Sequence, residues 1–211
     1  MKSIFSFLLL TTFSLVPFVA FSSTFTSDDP IVLPTTTEDD INVLPEVLDM
    51  DGQPLKTGEP YTILNTLFGG GSVALVNIGN TRCPNAIVQK GELEKGTPLT
   101  FFTKKSRPTP FDVVHEMNDI DIMFTVATSS CINETVWKVG NPDRFVVTGG
   151  TLGNNFFKIV KAETKPGSYH LRYCLGATFL CLNVGLTRNN RLALNNQPIP
   201  FGFVKHQKTD A

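Results

Sequence analysis

The stretch KKSRPTPFDV (Lys104 to Val113) places Lys104, Lys105 and Arg107 ahead of Pro108 and Pro110. Lysine and arginine carry the charge that a carboxylate at the bottom of a binding pocket pairs with. Charge runs also form ordinary solvated faces, and composition does not choose between the two. Arg107 precedes a proline, which lacks an N–H and constrains its neighbour, whereas Lys105-Ser106 is an unhindered peptide bond. Other chemistries find less support. His115, His170 and His206 are scattered and no G-x-S-x-G elbow occurs, so a catalytic nucleophile has no recognisable base. The cysteines lack C-x₂₋₄-C spacing with partner histidines, which argues against zinc. Neither metal nor cofactor is expected, and the chain does not read as an enzyme.

These residues need a scaffold, and the chain divides around one. Residues 1–22 hold one charge, Lys2, an apolar stretch from Ile4 to Ala20, and small residues at Ala20 and Ser22, the pattern of a cleaved secretory signal. Pro17 and the hydroxyls of Thr11, Thr12 and Ser14 leave too short an apolar core to span a bilayer of ~30 Å, so no membrane anchor is expected. Loss of Lys2 moves the formal charge from −1 to −2, with 17 basic against 19 acidic residues, which offers nothing to nucleic acid. Residues 23–40 include Asp28, Asp29, Glu38, Asp39 and Asp40 and read as an acidic disordered arm or propeptide. One folded domain is expected over 41–206, followed by a short tail, 207–211.

Within that domain the apolar pattern has period two. Ile120, Ile122, Phe124 and Val126 interleave with Asp121, Met123 and Thr125; Tyr169, Leu171 and Tyr173 with His170 and Arg172; Leu182, Val184 and Leu186 with Asn183, Gly185 and Thr187. Asp51-Gly52, Gly69-Gly70-Gly71, Asn141-Pro142, Gly149-Gly150 and Pro166-Gly167 mark turns between such runs. An all-β barrel or sandwich follows, and no internal repeat shows as self-similarity. Cys83, Cys131, Cys174 and Cys181, an even number in a secreted chain, imply two disulfides with three pairings open. Trp137 is expected to pack in the core or at its rim, and His170 and Arg172 to lie on the polar face of a strand. Asn133-Glu134-Thr135 is an N-glycosylation sequon.

The segment VLDMDGQPLKTGEPYTI (Val47 to Ile63) resembles the N-terminal signature of plant Kunitz inhibitors of the soybean trypsin inhibitor type. RCPNAIVQ (Arg82 to Gln89), ETVWKV (Glu134 to Val139), FVVTGG (Phe145 to Gly150) and RLAL (Arg191 to Leu194) resemble further landmarks in family order. The likeness implies a β-trefoil, a six-stranded barrel capped by three hairpins. It implies the pairs Cys83–Cys131 and Cys174–Cys181, worth about 4 and about 2.5 kcal/mol on the chain-entropy account.

It also implies inhibition of a trypsin-like serine endopeptidase by a monomer, with cysteine proteases as alternative targets and a non-inhibitory storage, sugar-binding or signalling role as the competing reading. The protease-facing loop falls within Phe101 to Val114. Counted from Lys95-Gly96 the reactive bond lies near Lys105 to Arg107, and counted back from Ile120 near Pro110, so the loop is longer than is usual. Lys104, Lys105, Ser106 and Arg107 are the candidate reactive residues, with Lys105 or Arg107 entering the S1 pocket. Thr57 stands where strong inhibitors of the family carry an asparagine that braces the loop from within. Asp29-Pro30-Ile31-Val32-Leu33 resembles a plant vacuolar-sorting determinant with Asp in place of Asn; secretion to the cell exterior is the default destination.

Overall fold

Among the described residues, runs rich in apolar side chains build twelve strands: β1 (Tyr61–Asn65), β2 (Val73–Val76), β3 (Ala86–Gln89), β4 (Leu99–Thr103), β5 (Ile120–Phe124), β6 (Trp137–Val139), β7 (Val146–Thr148), β8 (Phe157–Lys161), β9 (Tyr169–Cys174), β10 (Cys181–Leu186), β11 (Leu192–Asn195) and β12 (Phe201–Lys205). The computed structural model describes residues 44–67, 69–79, 82–104, 111–125, 131, 134–163, 165–175 and 180–206, and no α-helix occurs among them. All fall within the unit Asn42–Ala211.

Three antiparallel ladders of five residue pairs each make the barrel, β1 with β12, β4 with β5 and β8 with β9. Single pairs close it: Tyr61 with Leu99, Ile120 with Phe157, and Phe201 with Tyr169. The other strands form hairpins β2–β3, β6–β7 and β10–β11. These meet one another through Ala86 with Val147, Val88 with Arg191 and Phe145 with Ala193. Six barrel strands under three hairpins are a β-trefoil, the fold that the resemblance implies.

Inward side chains of the barrel strands, with Trp137 of β6, join one hydrophobic core. Phe203 meets Phe101 edge-on at 5.3 Å between ring centroids and lies 5.7 Å from Tyr169, while Trp137 sits 5.6 Å from Phe124 and 6.1 Å from Phe157. Trp137 is therefore a packing residue, fully buried. The cysteines pair as Cys83–Cys131 and Cys174–Cys181, with sequence separations of 48 and 7.

Period two misplaces Asp121. Read as part of the polar face of β5, it is 2% exposed, nearly as buried as its apolar neighbours, because its carboxylate accepts from the Gly153 N–H at 2.6 Å and from Asn155 Nδ2 at 2.9 Å. The loop before β8 thus covers that face and satisfies the charge it buries. In β10 only Val184 of the three apolar positions is fully buried; Leu182 and Leu186 are half-buried at the edge of the core. His170 and Arg172 are taken up in the scaffold, with Nδ1 of His170 3.2 Å from the Ile199 carbonyl and Nε of Arg172 donating to Asn183 Oδ1 at 3.2 Å.

Phe203, on the β1–β12 ladder, meets a ring from each of the other two ladders in the barrel. Phe203→Ala is expected to cost about 3–5 kcal/mol, read as a lower urea midpoint with an unchanged slope.

Candidate functional site

The candidate loop leaves the barrel at the end of β4 and returns along residues 111–117. Lys105, Ser106 and Arg107 lie outside the described residues, as does Asn133; the limbs on either side of 105–110 are described. Both limbs are held, and the holding is done largely by the N-terminal segment.

That segment folds first on itself. Asp49 is buried and its Oδ1 accepts from the Asp51 and Gln53 N–H groups at 3.0 and 2.9 Å, while Gly52, at φ 76°, turns the chain. An aspartate bonding backbone two residues on, followed by a glycine free to take positive φ, is the chemistry of a tight turn. The turn brings Leu55 N–H to Val47 O at 2.7 Å and buries both side chains.

The returning limb pairs with this hairpin through a run of backbone bonds. Phe111 N–H donates to Thr57 O at 2.9 Å, Thr57 N–H to Asp112 O at 2.8 Å, Val114 N–H to Leu55 O at 2.8 Å and Val47 N–H to Val114 O at 2.9 Å. Glu116 N–H then reaches Pro45 O and Met117 N–H reaches Ile159 O. The outgoing limb is tied to the same segment by Gly58 N–H on Phe101 O at 3.1 Å. Thr57 is 2% exposed, and its backbone bonds the returning limb beside Gly58, whose N–H bonds the outgoing one. Phe111, the first described residue after the loop, has φ 72° and is 61% exposed. Such a backbone is unfavourable for a bulky residue and is sustained here by the bond to Thr57.

Lys104, the last described residue before the loop, is not a free cation. Its Nζ lies 3.5 Å from the centroid of the Phe156 ring and 3.9 Å from Asp119 Oδ2. Asp119 also pairs through Oδ1 with Lys158 at 2.8 Å. Asp119, Phe156 and Lys158 were not singled out from sequence: an aspartate ahead of a strand and the first residue of a Phe-Phe pair carry no motif.

Beneath the N-terminal hairpin, Tyr61 accepts from the Lys56 N–H at 3.0 Å and donates to Glu59 Oε2 at 3.0 Å, and Glu59 pairs with Lys205 at 2.7 Å. Burial is the largest cause that pushes the Tyr61 phenol up to about 12. The Lys205 ammonium holds the Glu59 carboxyl below its ordinary value.

Residues 47–205 match the legume Kunitz family, described as "Trypsin and protease inhibitor". The chain is 47% identical over 221 residues to "Cysteine protease inhibitor 8" of Solanum tuberosum, covering 96% of this chain and 98% of that one. It is 34% identical over 229 residues to "Serine protease inhibitor 7" of the same species, covering 95% and 99%. A solved Kunitz-type cysteine protease inhibitor from potato superposes with a TM-score of 0.66 at 46% identity, over 79% of this chain and 100% of that one. The chain belongs to the Kunitz-type protease inhibitors, a family of inhibitors and not of enzymes.

A tyrosine whose pKa is raised on folding contributes stability that is complete below its unfolded value near 10 and lost as pH rises toward 12. Tyr169 is shifted in the same direction. Stability measured by urea is therefore expected to fall between about pH 10 and 12. Tyr61→Phe is expected to be less stable at neutral pH, where Lys56 N–H loses its acceptor, and to show a shallower alkaline decline.

Proposed function

We propose that the chain inhibits endopeptidases by offering the loop at 104–110 as a substrate that is bound but not efficiently turned over. The anchoring of both limbs carries this reading. A loop ordered before encounter does not lose that entropy on binding, and after cleavage its two ends stay together, so that religation competes with hydrolysis. With Lys104 engaged by Phe156 and Asp119, Lys105 and Arg107 are the side chains for the S1 pocket of a trypsin-like serine endopeptidase. Lys105-Ser106 is the better reactive bond, because Arg107 precedes proline.

Sequence identity favours a second target class. The relative at 47% identity is named a cysteine protease inhibitor, whereas the serine protease inhibitor stands at 34%. A cysteine endopeptidase would be met through another surface, since the cations of the loop are suited to a carboxylate-lined pocket. Secretion goes with both targets: the apolar stretch from Ile4 to Ala20 reads as a signal, and the two disulfides belong to an oxidising compartment. A glycan on Asn133 accompanies that route.

Titration of trypsin with the oxidised mature protein tests the first target. The expected result is a sharp one-to-one endpoint with at most one slow cut, after Lys105 or Arg107. Lys105→Ala combined with Arg107→Ala is expected to weaken inhibition by about a hundredfold, the loss typical of a hot-spot side chain, with no change in thermal midpoint. Inhibition untouched by both substitutions sinks the loop assignment, and rapid cutting without lasting inhibition points to a non-inhibitory trefoil. Full inhibition of a cysteine endopeptidase by the double variant would place that activity on a separate surface.

A further inference from the structure

Three described residues outside the loop converge on its outgoing limb. Thr103 and Ile120 form the last pair of the β4–β5 ladder. The next residue outward on one strand is Lys104 and the residue before the other is Asp119, so an opposite-charge pair stands across the open end of the ladder. At 3.9 Å and part-exposed this pair alone would do little. Two features make it directional. Lys158 Nζ contacts Asp119 Oδ1 at 2.8 Å and donates to the Met117 carbonyl at 2.8 Å, which leaves Oδ2 of Asp119 facing Lys104. The Phe156 ring presents its face to the same ammonium at 3.5 Å.

Phe156 is itself well fixed. Its carbonyl accepts from the Cys174 N–H at 2.9 Å, beside the Cys174–Cys181 disulfide, and its ring meets Tyr173 nearly edge-on at 6.4 Å. An ammonium between a carboxylate and an aromatic face is drawn to one position by both.

We propose that Lys104, Asp119 and Phe156 form a latch that fixes the direction in which the chain leaves β4, and that they are positioning residues for the protease-facing loop. The inference rests on the reading of 104–110 as that loop. The returning limb has backbone bonds to 45–57 as far as Phe111; the ladder that holds the outgoing limb ends at Thr103, and this side-chain contact meets the residue that follows. A cation at position 104 therefore serves the loop without entering the protease.

The test uses Lys104→Met, Phe156→Leu, the double variant and Lys104→Arg in the full oxidised chain. Amide hydrogen exchange is followed over 105–111, and the rate at which trypsin cuts after Lys105 or Arg107 is followed by mass spectrometry. Lys104→Met and Phe156→Leu are each expected to speed exchange and cutting about fivefold, the double variant no more than either alone, and Lys104→Arg less than twofold. Thermal midpoints should stay level; if Phe156→Leu lowers its own, Lys104→Met decides. Unchanged exchange and cutting in Lys104→Met, or effects of the two substitutions that multiply, overturn the latch. Exchange is read without a protease, so the latch is decided even if the chain inhibits nothing, and unchanged exchange with intact trypsin inhibition removes the latch alone.

Discussion

The return of the chain from the β4–β5 excursion is the constraint on which the remainder depends. A limb that runs from Phe111 to Met117 carries one N–H and one carbonyl per residue, and those turned toward the barrel must find partners. The N-terminal segment supplies them from Pro45, Val47, Leu55 and Thr57. It can do so because Asp49 and Gly52 fold it into a hairpin whose inward residues, Val47 and Leu55, join the core. One carboxylate and one glycine in a turn thus decide whether the loop has a base to stand on.

The barrel beneath is built to tolerate such an excursion. Each five-pair ladder is self-contained, and the ladders touch through single pairs, so the ring is held less by hydrogen bonds between ladders than by the aromatic core they share. Burial of rings that each contact partners from different ladders stabilises the closed form cooperatively. Tyr61 joins these layers: its ring packs 6.1 Å from Phe101, and its hydroxyl reaches out to Lys56 N–H and Glu59. The same residue connects the core to the N-terminal hairpin and, through Glu59, to Lys205 on β12.

Much of this was legible in the residues, and for identifiable reasons. Ile120, Ile122 and Phe124, or Tyr169 and Leu171, alternate because one face of each strand is core, and alternation is a local property. The threefold arrangement was legible through family likeness and not through self-similarity, because equivalent strands need only similar burial and not similar residues. Asp121 was misplaced because its partners, Gly153 and Asn155, approach from a distant loop. The N-terminal hairpin was legible at Asp51-Gly52 as a turn, while the pairing of Thr57 with residues 111 and 112 is long-range and leaves no local pattern. Asp119, Phe156 and Lys158 were not legible at all, since their meaning lies in where three separate strand ends meet.

A frame of this kind separates holding a loop from choosing what the loop says. Bonds to the returning limb run between backbone groups at Thr57, Asp112, Leu55 and Val114, a kind of contact that does not read side-chain identity. Relatives named for cysteine proteases and for serine proteases both align over nearly this whole chain, as expected where fold and target are set by different residues. Identity near 47% accordingly goes with a shared frame. Lys104 stands on the border between the two: part of the loop by sequence, part of the frame by its contacts.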